Sequence, residues 1–469
     1  MYINLITIDL CPGQGGGGVK PSGTLEISEN GVYDVYSYSS ASVDVHPSAS
    51  LSETYITNGV KTITGEFNGG VITVDVPAPQ FVTETLNVSA NGTYTPGDGI
   101  DGYSQVVVDV PISGWDQKSF TEGAIEIINL DNSASFVASR AFYNNKTIQT
   151  VNLPYATSVG NDAFQNCSSL SQVSLPVCEY IGSSAFRVCT SLTQISLPMC
   201  SYIGSGAFQN CSSLSQVSLP ICSYIGDSAF QNCSSLSQVS LPMCTYINDS
   251  AFQNCSSLSQ VSLPVCEHID WCAFKNCSSL SQVNLPMCKT IGKSAFYSCT
   301  SLTQISLPMC KRIDWDAFHY CSSLSQVNLP MCTYISDSVF QNCSSLSQVS
   351  LPVCEYIGSS AFRVCTSLTQ ISLPMCNHIG GEAFTNCYSL NQVNLSKCKN
   401  IVNYAFYNCS SLSIITIGYS GVCRLGGSNV FSNTQITSST GSIYVPASLV
   451  ESYKTATNWT YFSNKIFGI

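Results

Sequence analysis

The stretch that decides the fold is "CSSLSQVSLPMCTYINDSAFQN", residues 233–254, because a nearly identical string begins again at Cys255. One cysteine recurs every 22 residues from Cys167 to Cys409, and a second column runs from Cys178 to Cys398. A phenylalanine column from Phe142 to Phe406 keeps the same period. A fixed period in this range predicts a solenoid, in which each coil stacks only on its neighbours.

Within one coil, the apolar positions follow the leucine-rich pattern L-x-x-L-x-L-x-x-C-x-L. Alternation of apolar and polar residues in its middle part predicts a strand with one face inward. The fold class is therefore a β-rich solenoid, a leucine-rich repeat array of 22-residue coils. The inward positions of one coil are Leu170, Val173, Leu175, Cys178 and Ile181.

The cysteines are predicted to be reduced and to pack as internal ladders, since a buried thiol behaves as a small hydrophobe. Stacked coils about 4.8 Å apart would bring the cysteines within disulfide reach, but their parallel Cβ directions suit a disulfide poorly. Zinc is a weaker alternative because the chain has no C-x-x-C pair. The sequence indicates no cofactor and no metal.

The coil "LPMCTYINDSAFQNCSSLSQVS", beginning at Leu241, resembles the BspA-type leucine-rich repeats, whose units share L-P, I-G-x-x-A-F and a following Cys. The end of the chain, from Ile443 to Ile469, is similar to the capping segment of that family. The resemblance implies surface attachment or recognition of host structures and no shared catalytic residues. We expect the array with its N-terminal cap at 116–436 and a C-terminal cap at 437–469.

The N-terminal part differs in character from the array. "TLEISENGVYDV" from Thr24 is echoed by "TLNVSANGTY" from Thr85, and both predict short strands around an N-G turn. We expect three small all-β modules within 19–115, at about 20–47, 51–78 and 83–112. Residues 1–18 are expected to be a docking strand and Gly-rich linker, with a disordered or self-packed terminus as the alternative. The sequence pattern of these modules, T-L-x-I-S-x-N-G-x-Y followed by V-D-V, resembles that of phage tail-associated proteins.

Composition excludes several functions. Charged residues make up 10% of the chain and the net charge is −11, which argues against a nucleic-acid partner. No stretch is long and apolar enough to predict a membrane span. The opening "MYINLITIDL" lacks the basic region of a secretory signal and reads as a strand.

The candidate receptor site lies where the coils depart from their consensus, between residues 267 and 320. Trp271 and Trp315 are two periods apart and should lie on one face roughly 10 Å from each other. Neutral variation at solvent positions is the alternative. The other aromatic and basic candidates in this window are His268, Lys275, Lys289, Lys293, Tyr297, Lys311, Arg312, His319 and Tyr320.

Two further surfaces compete with this window. A spaced tyrosine row could stack on sugar rings, or it could be ordinary sheet packing. A polar ladder from Gln172 to Gln392 could bind sugars, or its amides could hydrogen-bond along the array. The tyrosines proposed for the receptor site are Tyr180, Tyr202, Tyr224 and Tyr246.

These features predict a non-enzymatic adhesion protein of a bacteriophage tail or other virion, which presents the array to a bacterial or mucosal glycan or protein receptor. The N-terminal modules would then contact other virion proteins. The alternatives are a bacterial cell-surface adhesin and a purely architectural virion component. His268 and His319 have no repeated carboxylate partner, and an inverting-glycosidase pair of Asp270 and Asp314 lacks a pocket. Homo-oligomers stay an open alternative.

Overall fold

A computed structural model describes the backbone of ten strands between Ile6 and Leu130, and residues 136–469 apart from 138, 147 and 439. The chain divides into two units, Met1–Leu197 and Pro198–Ile469. Each unit contains coils of a parallel β solenoid built from leucine-rich repeats. In the described residues, no helix is both long enough and apolar enough to cross a membrane.

The first unit begins with antiparallel strands and ends with parallel ones. Its strands are β1 Ile6–Pro12, β2 Gly23–Ile27, β3 Gly31–Asp34, β4 Tyr38–Val45, β5 Ser50–Leu51, β6 Gly59–Phe67, β7 Val71–Asp75, β8 Val82–Val88, β9 Tyr103–Val108, β10 Ile127–Leu130, β11 Phe136–Val137, β12 Thr150–Asn152, β13 Ser158–Val159, β14 Gln172–Ser174, β15 Tyr180–Ile181 and β16 Gln194–Ser196.

Strand β1 is paired on both sides within its own chain, antiparallel to β2 and to β4. Both backbone edges of Thr7–Leu10 are therefore paired with strands of the same chain. The Gly-rich linker, residues 13–18, lies outside the described residues. The sheet order β2-β1-β4-β6 also joins strands on both sides of the expected border between the first two modules.

The third expected module is continuous with the first coils of the array. Strands β8 and β9 pair in parallel rather than as a hairpin, and β9 pairs in parallel with β10. Strand β10 then pairs with β12, and β12 with β14. The run "QVVV" at 105–108 supplies a strand that can cover the first coil, so this sheet crosses the expected boundary at residue 115.

The second unit has two columns of short parallel strands, both in register at the 22-residue period. The first column, which continues the Gln positions, comprises β18 Gln216–Ser218, β20 Gln238–Ser240, β22 Gln260–Ser262, β24 Gln282–Asn284, β26 Gln304–Ser306, β28 Gln326–Asn328, β30 Gln348–Ser350, β32 Gln370–Ser372, β34 Gln392–Leu395 and β36 Ile414–Ile417. The second comprises β17 Tyr202–Ile203, β19 Tyr224–Ile225, β21 Tyr246–Ile247, β23 His268–Ile269, β25 Thr290–Ile291, β27 Arg312–Ile313, β29 Tyr334–Ile335, β31 Tyr356–Ile357, β33 His378–Ile379, β35 Asn400–Ile401 and β37 Arg424–Leu425.

A third side of each coil is a turn segment that returns the chain to the next strand. Phe274 in this segment stacks on Phe252 and Phe296, each with ring centroids 5.3 Å apart, and all three rings are buried. Two residues of the segment have positive φ in each coil, such as Cys272 and Asn276. Asn tolerates this left-handed conformation, which explains why it recurs at the second of these positions.

The cysteine columns are internal ladders, as predicted from their spacing. Cys277 is buried, and its thiol donates a hydrogen bond to the carbonyl oxygen of Phe252 with Sγ and O 3.1 Å apart. Cys266 in the second column donates to the carbonyl of His268 at 3.2 Å. Burial raises the pKa of Cys255 and of Cys321 to about 12, so both thiols stay protonated at neutral pH.

The C-terminal residues cover the last coil. Trp459 is buried, and its indole Nε1 donates to the carbonyl oxygen of Cys423 at 2.6 Å. Phe462 packs edge-on against Phe431, the last ring of the phenylalanine column, with centroids 5.3 Å apart. The elements here are 3-10 turns Ser428–Phe431, Gln435–Thr437, Ala447–Leu449 and Trp459–Lys465, strands β38 Ser442–Val445 and β39 Ile466–Gly468, and helix α1 Val450–Thr455.

Candidate functional site

The two tryptophans of the predicted window belong to one column of the turn segment. Trp271, Lys293 and Trp315 occupy the same position in three successive coils. Trp271 is 51% exposed and Trp315 is 54% exposed. The ammonium of Lys293 lies between them, with Nζ 5.9 Å from the Trp271 ring centroid and 5.8 Å from that of Trp315. The structure therefore brings these three predicted residues together as a Trp-Lys-Trp column.

At several other positions of this column a polar side chain joins one coil to the next. The Asp337 carboxylate accepts the backbone N–H of Ser359 at 2.8 Å, and the Asp249 carboxylate accepts that of Trp271 at 3.1 Å. A tryptophan or lysine side chain has no oxygen with which to accept such a bond. The window thus replaces a coil-to-coil hydrogen bond with exposed aromatic and cationic groups.

A second column, four residues further along each coil, adds Lys275, Tyr297 and His319. Nζ of Lys275 lies 5.1 Å from the Tyr297 ring centroid, and Tyr297 meets His319 edge-on at 5.1 Å. The His319 ring also stacks on that of Tyr320, with centroids 4.3 Å apart, and Tyr320 is 45% exposed.

His319 is less accessible than its place in a variable column suggests, since its side chain is only 13% exposed. Nδ1 lies 3.2 Å from Asp316 Oδ1, and Nε2 lies 3.2 Å from Asn342 Nδ2. Nδ1 thus faces the Asp316 carboxylate, and Nε2 faces the side-chain amide of Asn342. With both nitrogens occupied, His319 positions the neighbouring ring of Tyr320.

Two more basic residues of the window, Lys289 and Arg312, are held by acidic or aromatic side chains in or beside the second strand column. Lys289 pairs with Glu267 at 2.6 Å, which lowers the pKa of Glu267. Arg312 pairs with Asp314 at 2.8 Å and lies over the ring of Tyr334. These contacts neutralise part of the positive charge that the sequence places in the window.

His268 and Lys311 complete the predicted window. The imidazole Nδ1 of His268 lies 2.8 Å from the hydroxyl of Thr290, and its ring tilts against that of Tyr246. Lys311 is exposed, and its backbone carbonyl accepts the hydroxyl of Thr333 at 3.3 Å.

The tyrosine row is a stacked ladder. Tyr202 and Tyr224 are parallel, with ring centroids 4.7 Å apart, and Tyr224 is 36% exposed. The Tyr246 hydroxyl donates to Asp270 at 2.5 Å, which with burial raises the pKa of Tyr246 to about 12. Stacking between neighbours covers ring faces that a sugar would need, which favours the packing alternative, and the receptor role of this row stays a prediction. Tyr180, in the first unit, is 41% exposed.

The Gln face of the first strand column is open and polar. Two hollows along it are lined by Gln, Ser and Asn side chains, one around Gln326 and one around Gln370. Amide hydrogen bonds between coils occur in a different Gln column that the sequence reasoning missed, where Gln209 donates to Gln231 and Gln231 donates to Gln253. Its signal was the Gln that follows Phe in successive coils.

The described residues offer little for catalysis or metal binding. Within residues 136–469, no three His, Cys, Asp or Glu side chains are grouped so that they could hold a metal ion. The Asp270 carboxylate already accepts the Tyr246 hydroxyl and the Trp271 N–H. What the window presents is an open surface of aromatic and cationic groups, a combination typical of binding surfaces.

Comparison with known structures gives several similar chains. A leucine-rich repeat protein from Bacteroides ovatus is 20% identical over 91% of this chain and 99% of its own, with a TM-score of 0.48. A leucine-rich cell surface protein from Faecalibacterium prausnitzii is 26% identical over 62% of this chain and 84% of its own, with a TM-score of 0.36. The pneumococcal vaccine antigen PcpA is 17% identical over 88% and 87%, with a TM-score of 0.37. Among curated proteins, no sequence matches this chain.

The sequence profile of the BspA-type leucine-rich repeat region matches residues 115–237, 223–347 and 333–456, with six copies of the unit. These three ranges overlap and together span well over half of the chain. The chain belongs to the BspA-type leucine-rich repeat family.

Proposed function

We propose that the chain is a non-enzymatic binding protein whose central coils, residues 267–320, attach it to a bacterial or mucosal surface. The Trp-Lys-Trp column carries this proposal. Two half-exposed tryptophans and a lysine stand at a position where Asp249 and Asp337 use a carboxylate to join one coil to the next. The clustering of large aromatic and cationic side chains at this position in three successive coils argues against neutral variation, and aromatic anchors beside a cation are typical of binding hot spots.

Two carriers, meaning a bacterial cell or a phage particle that displays the protein, are compatible with this role. Membership of the BspA-type family supports display on a bacterial cell surface. The cadence of the N-terminal strands supports the second candidate, display on a phage tail with contacts to other virion proteins. The protein is assayed on intact cells before and after protease treatment, and in purified particles from lysed cultures. Loss from intact cells on protease treatment supports display on the cell surface, and presence in the purified particles supports display on a phage tail.

The test of the binding role uses the full chain and a Trp271→Ala/Trp315→Ala variant on intact bacterial cells and mucin-coated plates. A matched control, Tyr155→Ala/Tyr388→Ala, removes two aromatic side chains that are 47% and 45% exposed outside the window. We expect the tryptophan variant to lose at least about tenfold in binding, as hot-spot truncation does, with unchanged thermal stability. Equal binding by all three proteins would place the receptor site elsewhere, and no binding by any would favour an architectural role.

A further inference from the structure

Three successive coils each carry one aromatic and one basic side chain four residues apart, and their order reverses from coil to coil. The first coil has the aromatic group first, the second has the cation first, and the third returns to the first order. The three pairs are Trp271 with Lys275, Lys293 with Tyr297, and Trp315 with His319.

The two columns share one surface. The backbone N–H of Cys272 donates to the carbonyl oxygen of Lys293 at 3.0 Å, and the backbone N–H of Lys275 donates to the carbonyl oxygen of Cys272 at 3.0 Å. Cys272 therefore marks the point where the columns meet. Lys275 lies over Tyr297, and Lys293 lies between the tryptophans, so aromatic and cationic groups alternate along the first column and between the columns in the first two coils.

The cations of this surface remain available to an acidic ligand. Neither Lys275 nor Lys293 takes part in an ion pair with a carboxylate among residues 136–469, whereas Lys289 and Arg312 do. Asp249 and Asp270 lie close by, and both accept the backbone N–H of Trp271. The carboxylates of Asp249 and Asp270 are thus engaged in hydrogen bonds, while the ammonium groups of Lys275 and Lys293 face aromatic rings.

The solenoid repeats every coil, about 4.8 Å, a rise close to the length of one pyranose in an extended polysaccharide. A chain laid along the array would therefore meet one coil per sugar, and every second sugar would face the same kind of group. Tryptophan rings offer flat apolar faces to neutral sugars, and the lysine between them offers a charge to an acidic one.

We infer that this surface binds a linear acidic polysaccharide in which neutral and anionic sugars alternate, with its chain parallel to the solenoid axis. This inference rests on the proposed binding role and names its ligand class. The open surface suits a chain that enters from the side rather than a small ligand enclosed in a pocket. A net charge of −11 disfavours uniformly charged polyanions such as nucleic acid, which need a broad basic face.

The test measures binding of the full chain to hyaluronan and chondroitin oligosaccharides, which alternate neutral and acidic sugars, beside neutral cellohexaose and uniformly acidic oligogalacturonate. Lys293→Gln removes the central cation at similar length. Lys399→Gln is the matched control, because Nζ of Lys399 also lies over an aromatic ring, 5.9 Å from the Tyr419 centroid, outside the window. We expect the alternating oligosaccharides to bind best and Lys293→Gln to weaken them about tenfold, with Lys399→Gln unchanged.

The outcomes separate this inference from the proposed function. If the alternating oligosaccharides compete with cell binding and the other oligosaccharides do not, both the proposed function and the alternating ligand are supported. Equal affinity for cellohexaose, or stronger binding of oligogalacturonate, overturns the alternating ligand. A third outcome is cell binding that depends on Trp271 and Trp315 while no oligosaccharide binds the chain or competes with the cells. That result keeps the proposed binding role, overturns the polysaccharide ligand and favours a protein partner. Absence of cell binding by the wild-type chain, together with no oligosaccharide binding, overturns both.

Discussion

Cys277 and Phe252 connect two adjacent coils, because the buried thiol of the first donates to the carbonyl oxygen of the second at 3.1 Å. The same bond recurs one coil later, from Cys299 to Phe274 at 3.2 Å. The carbonyl of Phe252 also accepts the backbone N–H of Cys255. The thiol therefore adds a weak second bond and, above all, fills the space between turn segments.

We predict that Cys277→Ala lowers the free energy of unfolding by about 1 kcal/mol, because it removes one buried atom without stranding the carbonyl. Cys277→Ser should cost more, since its shorter, more polar side chain fits the ladder less well. Urea unfolding under reducing conditions measures both. Ser278→Ala, at an exposed neighbouring position, is the control. If Cys277→Ala were as stable as the wild type, the packing role of this thiol would be refuted.

The phenylalanine column predicts a larger loss. Phe274→Ala removes a fully buried ring stacked on both sides, which typically costs about 3–5 kcal/mol. Because coils contact only their neighbours, hydrogen exchange should accelerate most in the adjacent coils. Phe274→Leu, which keeps most of the volume, should show a smaller acceleration. Equal acceleration along the whole array would mean that the array unfolds as one cooperative unit.

The fold could be predicted because its determinants repeat. Cys, Phe and Leu columns reveal which positions face inward, and a register error would expose all of them at once. The N-terminal strands lack such repetition, so pairing of β8 and β9 in parallel could not be read from the N-G turns. Turn residues indicate pairing between neighbouring strands of a hairpin, whereas the first coil of the array offers a strand edge that competes for the same pairing.

The site was predicted less completely. Counting periods places Trp271 and Trp315 on one face, but it does not show that the ammonium of Lys293 lies between their rings. The His319 side chain is largely buried and its ring stacks on that of Tyr320, which stands at the recurring positive-φ position that most coils fill with Asn. The packing of one unusual side chain on another has no periodic signature, so these contacts could not be read from the sequence.

Val364 leads to a stabilising prediction. It has φ of 61°, where Asn342 and Asn386 in the neighbouring coils have φ of 61° and 63°. Positive φ is unfavourable for a β-branched residue, and such strain typically costs about 1–3 kcal/mol. Val364→Asn should remove this strain and link the Asn column, as Asn408 already donates to Asn386 at 2.8 Å.

We expect Val364→Asn to raise the free energy of unfolding by about 1 kcal/mol or more, the lower end of that strain range. Val364→Gly relieves the backbone strain but adds no hydrogen bond. The difference in stability between the Gly and Asn variants therefore separates the gain from strain relief from the gain from the hydrogen bond. Thermal and urea unfolding measure both variants. A lower midpoint for Val364→Asn would show that contacts of the valine side chain outweigh its backbone strain.

His378 gives the array a sensitivity to acid. Its ring stacks on Tyr356 with centroids 4.7 Å apart, and its Nδ1 accepts a hydrogen bond from Asn400 Nδ2 at 3.0 Å. Burial lowers the pKa of His378 below its ordinary value of 6.5. Below that pH the unfolded chain therefore binds more protons at this residue than the folded chain does.

The contribution of His378 to stability is complete above pH 6.5, the ordinary value, and falls as the pH drops through and below it. His378→Tyr continues the tyrosine column without a group that titrates in acid. Between pH 7.5 and pH 5, about one unit or more on either side of the usual histidine pKa, the wild type should lose more stability than this variant. Urea unfolding at both pH values measures the difference, with His268→Tyr as a control in the same column. Parallel losses in the wild type and His378→Tyr would show that carboxylates elsewhere, rather than this imidazole, determine the acid response.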